Sequence, residues 1–203
     1  GVPKDLPRIR FFLSARHEAH HLEETINVLR AEMRRPRLDT LSVALVARDE
    51  RTSRATAAMA EASTGTVAAR LWLNGEKVGL RDAVLANAVL AHAHFHDDSC
   101  HSSWTHPGSL IVPLAVALGE YYDTPLDTVL KGITAGYTTL AWLGADEAIA
   151  HPLIKRGFRG SPVLGTIGAA ATASLMLGLP PAEAAHAVSI ATNITGGILE
   201  PVR

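Results

Sequence analysis

Apolar residues recur at helical spacing along most of this chain, and this pattern limits its fold more than any other feature. Leu22, Ile26, Leu29 and Met33 follow one another at intervals of four, three and four residues, which places them on one face of a helix. Comparable patterns predict helices over residues 17–35, 38–47, 52–62, 107–122, 125–143, 163–177 and 182–192, and a further helix that begins at residue 82 and ends before Pro107. The chain is therefore expected to be all-α, a multi-helix bundle.

Proline, glycine and capping residues mark the ends of these segments. Pro36 is expected to end the first helix, and Thr52 or Ser53 to cap the third. Thr124-Pro125-Leu126-Asp127 combines a cap residue, a proline at the first helical position and an acid three residues after the cap, which is typical of a helix start. Residues 152–162, rich in Gly, Arg and Lys, are predicted to form a loop.

One stretch departs from the helical pattern. Residues 67–73 alternate weakly between apolar and polar and run into Asn74-Gly75, a tight-turn signal. At most one short strand pair is expected, over residues 67–78.

Composition excludes several classes of protein. The chain has 203 residues of which 47% are hydrophobic, enough for a buried core, and 19 basic against 20 acidic residues leave a formal charge of -1. Such a balance provides no positive field for nucleic acid or an anionic membrane, and no apolar run reaches the roughly 20 residues of a membrane helix. The single cysteine, Cys100, excludes an internal disulfide and fits a cytoplasmic location.

No low-complexity linker divides the chain, so residues 17–203 are expected to form a single helical domain. Residues 1–16 are interpreted as an N-terminal arm or a remnant of processing.

The most informative stretch lies between two of the predicted helices. Five of the ten histidines fall between His92 and His106, together with Asp97, Asp98, Cys100 and several hydroxyl groups. Imidazoles and carboxylates close together can move protons at a substrate carbon or hydroxyl. The backbone amides after Pro107 begin a helix and are expected to be open to an anion, so a small molecule bearing a carboxylate would fit this junction.

Other interpretations of the same residues remain open. A cluster of His94, His96, Asp97 and His101 could bind a metal ion, although no second cluster with ligand spacing follows it. His92, on an apolar helical face, is more typical of a core histidine than of a catalyst. Asp97 and Asp98 could simply cap a helix or form a turn. Cys100 beside His101 resembles a nucleophile pair, yet sequence neighbours seldom point at each other.

The order of these motifs resembles the N-terminal part of the MmgE/PrpD family, which includes 2-methylcitrate dehydratase, cis-aconitate decarboxylase and iminodisuccinate epimerase. Residues 38–44 look like the family's Leu-Asp-Thr-Leu-Gly helix, and residues 86–99 resemble its Asn-Gly, His-Ala and Asp-Tyr-Asp-Asp-Thr segment. Residues 105–109 are similar to the His-Pro-Ser that opens the next helix. Residues 155–158 and 165–171 resemble the Arg-Gly-Phe-His loop and the Gly-Ala-Ala helix behind it.

The resemblance implies an α-helical domain that packs against a second α+β domain and dimerises, with the active site between the two domains and no metal or other cofactor. It implies abstraction of a proton next to a carboxylate, leading to loss of water, loss of carbon dioxide or inversion at carbon. His106 matches the site histidine, Ser99 the family's threonine, and Asp97 and Asp98 the second and third acids of its motif.

Two positions depart from the family pattern. Phe95 stands where the first acid is expected, and Arg159 replaces the loop histidine, which exchanges a titratable group for a permanent cation that can grip a carboxylate with two hydrogen bonds. The family's second domain, with the lysine that it contributes, is not among these residues. A separate chain would have to supply it, unless the site has been rebuilt for another substrate or catalysis has been lost.

Two functions are therefore compared. The first is a cofactor-independent lyase or isomerase that acts on a small carboxylate, with His106, Asp97, Asp98 and Ser99 as catalytic residues. In this hypothesis the substrate is bound by Arg159, His96, Ser109 and Lys155 and by the amides after Pro107. The second is a non-catalytic or half-site module that forms a homodimer or binds a partner chain. We favour the enzyme, because acid–base groups remain dense at the family's site.

Overall fold

The computed structural model describes residues 34–63 and 66–199, and over these residues the chain is predominantly helical, as predicted. The helices are α1 (Arg34–Val46), α2 (Arg51–Glu61), α3 (Leu80–His92), α4 (Pro107–Tyr122), α5 (Leu126–Leu143), α6 (Ala150–Lys155), α7 (Gly160–Met176) and α8 (Pro181–Asn193). Short 3₁₀ turns follow α1 and α5, at Ala47–Asp49 and Ala145–Glu147. The predicted arm over residues 1–16 and nearly all of the predicted first helix lie outside the described residues.

The predicted strand pair is present. Strands β1 (Val67–Arg70) and β2 (Lys77–Gly79) pair antiparallel, with Arg70 opposite Lys77. Ala69 and Val78, one from each strand, pack with small residues of α2 and α3 in a satellite core. The hairpin thereby covers one end of the bundle.

The main core lies between α4, α5 and α7. Its fully buried side chains include Ile111, Ile133, Leu140 and Leu164. Close approach of α5 and α7 depends on Gly136, because a Cβ atom at this position would overlap the Thr172 hydroxyl and the Ile111 side chain. The small residues seen in the sequence therefore act by letting helix backbones approach.

Several predicted boundaries were wrong. Pro36 lies within α1, so no helix ends at this residue, and α2 begins at Arg51, so that Ser53 is buried inside the helix and does not cap it. Helix α3 starts two residues earlier than predicted and ends at His92. Part of the predicted loop over residues 152–162 is helical, because α6 extends to Lys155 and α7 already begins at Gly160. Pro125 is the N-cap residue of α5, and Thr124 makes no capping bond.

Residues 93–106 connect α3 to α4 and bring the histidine-rich stretch to one end of the bundle. Cys100 and Thr105 pair through two backbone hydrogen bonds, at 2.8 and 3.2 Å, which close this connection on itself. The His106 amide donates a hydrogen bond to the Ser161 hydroxyl at 3.1 Å, which attaches the start of α4 to the start of α7. Three helix ends, those of α3, α4 and α7, thus meet around the connection.

Candidate active site

The Asp97 carboxylate is the centre of this meeting point. Its side chain is fully buried, and both carboxylate oxygens accept from His92 Nδ1, at 2.9 and 3.0 Å. His106 Nδ1 lies 3.5 Å from Asp97 Oδ1, longer than a well-formed hydrogen bond, and has no closer partner among the described residues. One buried carboxylate therefore faces two imidazoles, from the last residue of α3 and the residue that precedes α4.

The backbone turns sharply between these two histidines. Phe95 and Trp104 have φ angles of 56° and 52°, in the left-handed region that non-glycine residues seldom occupy. Phe95 sits on the outside of the site, with its ring centroid 4.3 Å from that of His92 and 6.2 Å from that of His106. A bulky residue keeps such a conformation only where its surroundings hold it, and such positions cluster at functional sites.

Arg159 reaches the same place from the start of α7. Its Nη2 lies 3.2 Å from His92 Nε2, and its Cζ lies 5.1 Å from the centroid of the Phe95 ring. The Arg159 side chain is half-buried and forms no ion pair with a carboxylate among the described residues. The two positions that depart from the family pattern are therefore in contact with each other.

These contacts define the proton positions on His92. Arginine can only donate, so His92 Nε2 accepts from Arg159 and carries no proton. The ring proton is then on Nδ1, where it is donated to Asp97. The tautomer with the proton on Nδ1 therefore satisfies both contacts and directs the Nε2 lone pair at the guanidinium.

Asp97 and His106 influence each other's ionisation. Burial raises the pKa of Asp97, but the nearby His106 imidazole, the hydrogen bond from His92 and the nearby Ser109 hydroxyl outweigh burial and hold the pKa well below its usual range. The nearby Asp97 carboxylate raises the pKa of His106 above 6.5, against the opposing effects of burial and of the nearby Arg159 charge. The arrangement thus favours the ionised form of Asp97 and the protonated form of His106.

Asp98 has a different role from Asp97. Asp98 Oδ1 accepts from the Gly108 amide at 2.7 Å, and Oδ2 accepts from the Tyr137 hydroxyl at 2.7 Å. Asp98 therefore caps the start of α4. The N-cap residue, His106, forms no capping hydrogen bond with its own side chain. A Cβ at Gly108 would lie 2.5 Å from Asp98 Oδ1, so glycine is needed for this approach. The expectation that the amides after Pro107 are open to an anion is wrong for Gly108.

The environment of Asp98 also affects its own ionisation. Burial raises the pKa of Asp98, and the charges of Asp97 and Asp39 raise it further, while the Tyr137 and Gly108 hydrogen bonds oppose them. Burial and the Asp98 charge likewise raise the pKa of Tyr137 well above 10. Asp39, on α1, belongs to the same group of acids, because burial and the charge of Asp97 raise its pKa.

The other predicted site residues differ in where they lie. Ser109 is buried, and its hydroxyl donates a hydrogen bond to the His106 carbonyl at 3.1 Å. Ser109 therefore helps to hold the backbone of His106 beside Asp97. Ser99, His96 and Lys155 are exposed, and among the described residues none of them forms a hydrogen bond or ion pair with Asp97, His92 or His106. Their roles, like those of His106, Asp97, Asp98 and Arg159, stay predictions.

The sequence analysis overlooked His92 and Tyr137. His92 was interpreted as a core histidine, although its position five residues before Asp97 at a helix end was a usable signal. Tyr137 offered no such signal, because it is 39 residues from Asp98 in the sequence.

The alternative interpretations find little geometric support. His94 Nε2 pairs with Glu50 Oε1 at 2.8 Å, so the predicted cluster of His94, His96, Asp97 and His101 is not assembled. Side-chain atoms of His92, Asp97 and His106 lie within 4.8 Å of one another, a spacing that metal ligands can have. The fit is poor, however, because the Arg159 guanidinium points at His92 Nε2 and would repel a metal cation.

The nucleophile pair is not formed either. Cys100 Sγ lies 3.4 Å from Ser102 Oγ, whereas His101 is exposed. Among the described helices, none combines the length and apolar character needed to span a bilayer.

The chain is similar over part of its length to cis-aconitate decarboxylases and to a protein named as like them. Human cis-aconitate decarboxylase is 32% identical over 119 residues, which cover 56% of this chain and 24% of that protein. The mouse enzyme matches to the same extent. The cis-aconitate decarboxylase-like protein oryM of Aspergillus oryzae (strain ATCC 42149 / RIB 40) is 29% identical over 131 residues, 61% of this chain and 27% of that protein.

The matched stretch spans about a quarter of the length of these curated relatives. The MmgE/PrpD N-terminal domain matches residues 14–202, nearly the whole chain. The chain therefore belongs to the MmgE/PrpD family, of which it contains the N-terminal domain.

Proposed function

We propose that this chain forms the helical half of a cofactor-independent active site that removes a proton next to a carboxylate of a small substrate. A decarboxylation would instead leave the bonding pair of the departing carbon dioxide on carbon, which would take a proton from the site, whereas the proton removal would lead to dehydration or, as in an isomerase, to epimerisation. The similarity to cis-aconitate decarboxylases supports the first class of reaction. The observation that carries the proposal is the fully buried Asp97 carboxylate between His92 and His106, with Arg159 beside them.

The charges at this place suit an anionic substrate. Arg159 brings a permanent positive charge beside Asp97, and protonation of His106, whose pKa is raised, would add a second. Arg159 has no carboxylate partner of its own among the described residues, and its planar guanidinium can bind one with two hydrogen bonds. We assign Arg159 as the group that binds the substrate carboxylate.

His106 is assigned as the general acid. Its raised pKa favours the protonated form, which can give a proton to a leaving hydroxyl group or to a carbanion. Asp97 orients the imidazoles and stabilises their charged forms, as buried carboxylates do in acid–base pairs. Asp98 holds the start of α4, and with it His106, through the Gly108 amide. Ser99, His96 and Lys155 are exposed and would contact the outer part of the substrate.

The test is turnover of cis-aconitate and of other small di- and tricarboxylic acids. It should be run with this chain alone and together with any protein that supplies the family's second domain. We expect His106→Ala to reduce turnover by about 100-fold or more. His186→Ala, at an exposed position of α8, is the matched control and should have no effect. Equal turnover by His106→Ala and the unsubstituted protein would remove His106 from the mechanism.

Association with a second copy or a partner chain is a separate proposal, supported by the C-terminal end of the described region. Ile190 and Ile194, at the end of α8, are 65% and 73% exposed, and Leu177 and Ile198 nearby in sequence are also exposed. Apolar side chains in such number are typical of a surface that another polypeptide covers. Light scattering at micromolar concentration tests it, and a monodisperse monomer would argue against self-association.

A further inference from the structure

His92 has the geometry of a general base whose reactive atom is covered. Its Nδ1–H is fixed on the buried Asp97 at 2.9 Å, which is how a carboxylate prepares an imidazole to accept a proton on the opposite nitrogen. That opposite nitrogen, Nε2, accepts a hydrogen bond from Arg159 at 3.2 Å. Proton abstraction by His92 therefore requires Arg159 to move.

A substrate carboxylate supplies the reason for Arg159 to move. A hydrogen bond from a guanidinium to a neutral imidazole is weaker than a bidentate ion pair between a guanidinium and a carboxylate. Arg159 is long and half-buried, and its guanidinium contacts the Phe95 ring and His92. Rotation of its outer side-chain bonds would exchange His92 for the carboxylate without moving α7.

We propose that His92 is the proton-abstracting base of this site and that Arg159 keeps its Nε2 covered until a substrate carboxylate takes the guanidinium. This inference rests on the proposed function and adds to it the identity of the base and its control by the substrate. His92 would then act as a base only on substrates that carry a carboxylate, because only a carboxylate would draw Arg159 away from Nε2. A small neutral molecule would leave the hydrogen bond from Arg159 to Nε2 in place.

The proton transfer balances with the groups present. The bond between carbon and hydrogen next to the substrate carboxylate breaks, and the proton forms a bond to His92 Nε2. The electron pair stays with the substrate and is delocalised into the carboxylate that Arg159 binds. His92 becomes an imidazolium, whose charge the buried Asp97 offsets. In a dehydration, the hydroxyl group then leaves with its bonding pair and takes a proton from His106, giving water.

The decisive experiment is nitrogen-15 NMR of the histidine side chains in the full chain, with His92→Asn used to assign the His92 signals. Asparagine keeps a donor toward Asp97 and removes the Nε2 lone pair. The probe is propane-1,2,3-tricarboxylate, which has no hydroxyl group and no double bond and so cannot react. We expect it to shift the His92 Nε2 resonance toward that of an unbonded lone pair. Arg159→Met should show this resonance without the probe and bind the probe at least about tenfold more weakly.

Arg156→Met, at an exposed position three residues earlier, is the matched control and should behave as the unsubstituted chain. If the tricarboxylate binds through Arg159 and the His92 resonance does not change, the inference is overturned and the proposed carboxylate site stands. If binding does not depend on Arg159, the proposed substrate contact fails instead.

Turnover provides the second measurement. In any dehydration or epimerisation assay where the unsubstituted protein is active, His92→Asn should slow turnover by about 100-fold or more, with binding of propane-1,2,3-tricarboxylate changed by less than about threefold. Undiminished turnover by His92→Asn would overturn the role of His92 as the base, whatever the result for His106→Ala. Absence of turnover in the unsubstituted protein would count against the proposed function, and the NMR experiment would then decide the exchange at Arg159.

Discussion

The guanidinium of Arg159 lies against the ring of Phe95, with 5.1 Å between Cζ and the ring centroid. These two residues are 64 positions apart, and both differ from the pattern of the family that the chain resembles. A cation over an aromatic face is attracted by the ring's quadrupole. This contact lets Phe95 hold the guanidinium of Arg159, which brings a permanent positive charge to the site.

Phe95 should contribute to the position of Arg159. Phe95→Leu removes the aromatic face, and we expect the affinity for cis-aconitate to fall about two- to fivefold, since a partly exposed cation–π contact contributes about 0.5–1 kcal/mol. Isothermal titration calorimetry measures this change. Tyr122→Leu replaces an exposed aromatic residue at the opposite end of α4 and should leave the affinity unchanged. An equal loss in both variants would mean that Phe95 acts through general stability.

We expect Asp98 to contribute more to the free energy of unfolding than an exposed acidic residue such as Asp49. Asp98→Ala leaves the Gly108 amide and the Tyr137 hydroxyl without their partner, so we expect the free energy of unfolding to fall by about 2–4 kcal/mol. Urea denaturation provides the measurement. Asp49→Ala, which removes an exposed ion pair with Arg54, should cost less than about 1 kcal/mol. A similar small cost for Asp98→Ala would contradict its role as the cap of α4.

Stability should depend on pH through His106. Its folded pKa is raised above 6.5, so its contribution is fully present below pH 6.5 and is lost as the pH rises through the folded pKa. The groups that face it are Asp97, which raises this pKa, and Arg159, which opposes the rise. Denaturant midpoints measured from pH 5.5 to about 9 should therefore fall less in His106→Asn than in the unsubstituted chain. His186→Asn should follow the unsubstituted curve, and a His106→Asn curve that also follows it would refute the assignment.

The same linkage has the opposite sign for Asp97. Its folded pKa lies below the usual carboxyl value, so its contribution is present above the unfolded pKa of 3.8 and is lost as the pH falls through the folded pKa. We expect Asp97→Asn to reduce stability at pH 6 and to show a shallower loss on acidification than the unsubstituted chain. Circular dichroism during acid titration makes the comparison. An unchanged acid transition would show that Asp97 is not held ionised in the folded state.

Gly136 should not tolerate a side chain. A methyl group there would overlap Thr172 and Ile111 at the crossing of α5 and α7, and overpacking of this kind costs about 1–3 kcal/mol. Gly136→Ala is therefore expected to lower the melting temperature by several degrees in a scanning calorimeter. Gly196→Ala, where nothing lies within 4 Å of the added atom, should leave it nearly unchanged. Equal melting temperatures for the two variants would argue against tight packing at this crossing.

Much of the fold was readable from local signals. The start of α4 follows from Pro107, whose fixed φ favours the first turn of a helix, Pro125 directly precedes α5, and the Asn74-Gly75 turn predicted the strand pair. The wrong helix boundaries lie in segments whose residues have only a weak preference for helix or loop. The segment from 152 to 162 is rich in loop-forming residues, yet α6 and the first turn of α7 occupy part of it, because packing can override weak propensity.

The candidate site was readable only in part. Asp97 and His106 were identified by their residue types and by the resemblance. The separate roles of Asp97 and Asp98 were not, because adjacent residues in an irregular connection point in directions that only the backbone determines. Asp97 turns toward two imidazoles and Asp98 toward Tyr137 and the Gly108 amide.

The sequence by itself determined the helical class, the order of most elements and the family, since helical periodicity and motifs depend on residues close together in the chain. Tertiary structure alone decided that His92 shares Asp97 with His106 and that Arg159, 67 residues after His92, covers its Nε2. It also decided that the first amide available after Pro107 is already bonded to Asp98. These relationships depend on how three helix ends meet, and packing of the whole core sets that arrangement.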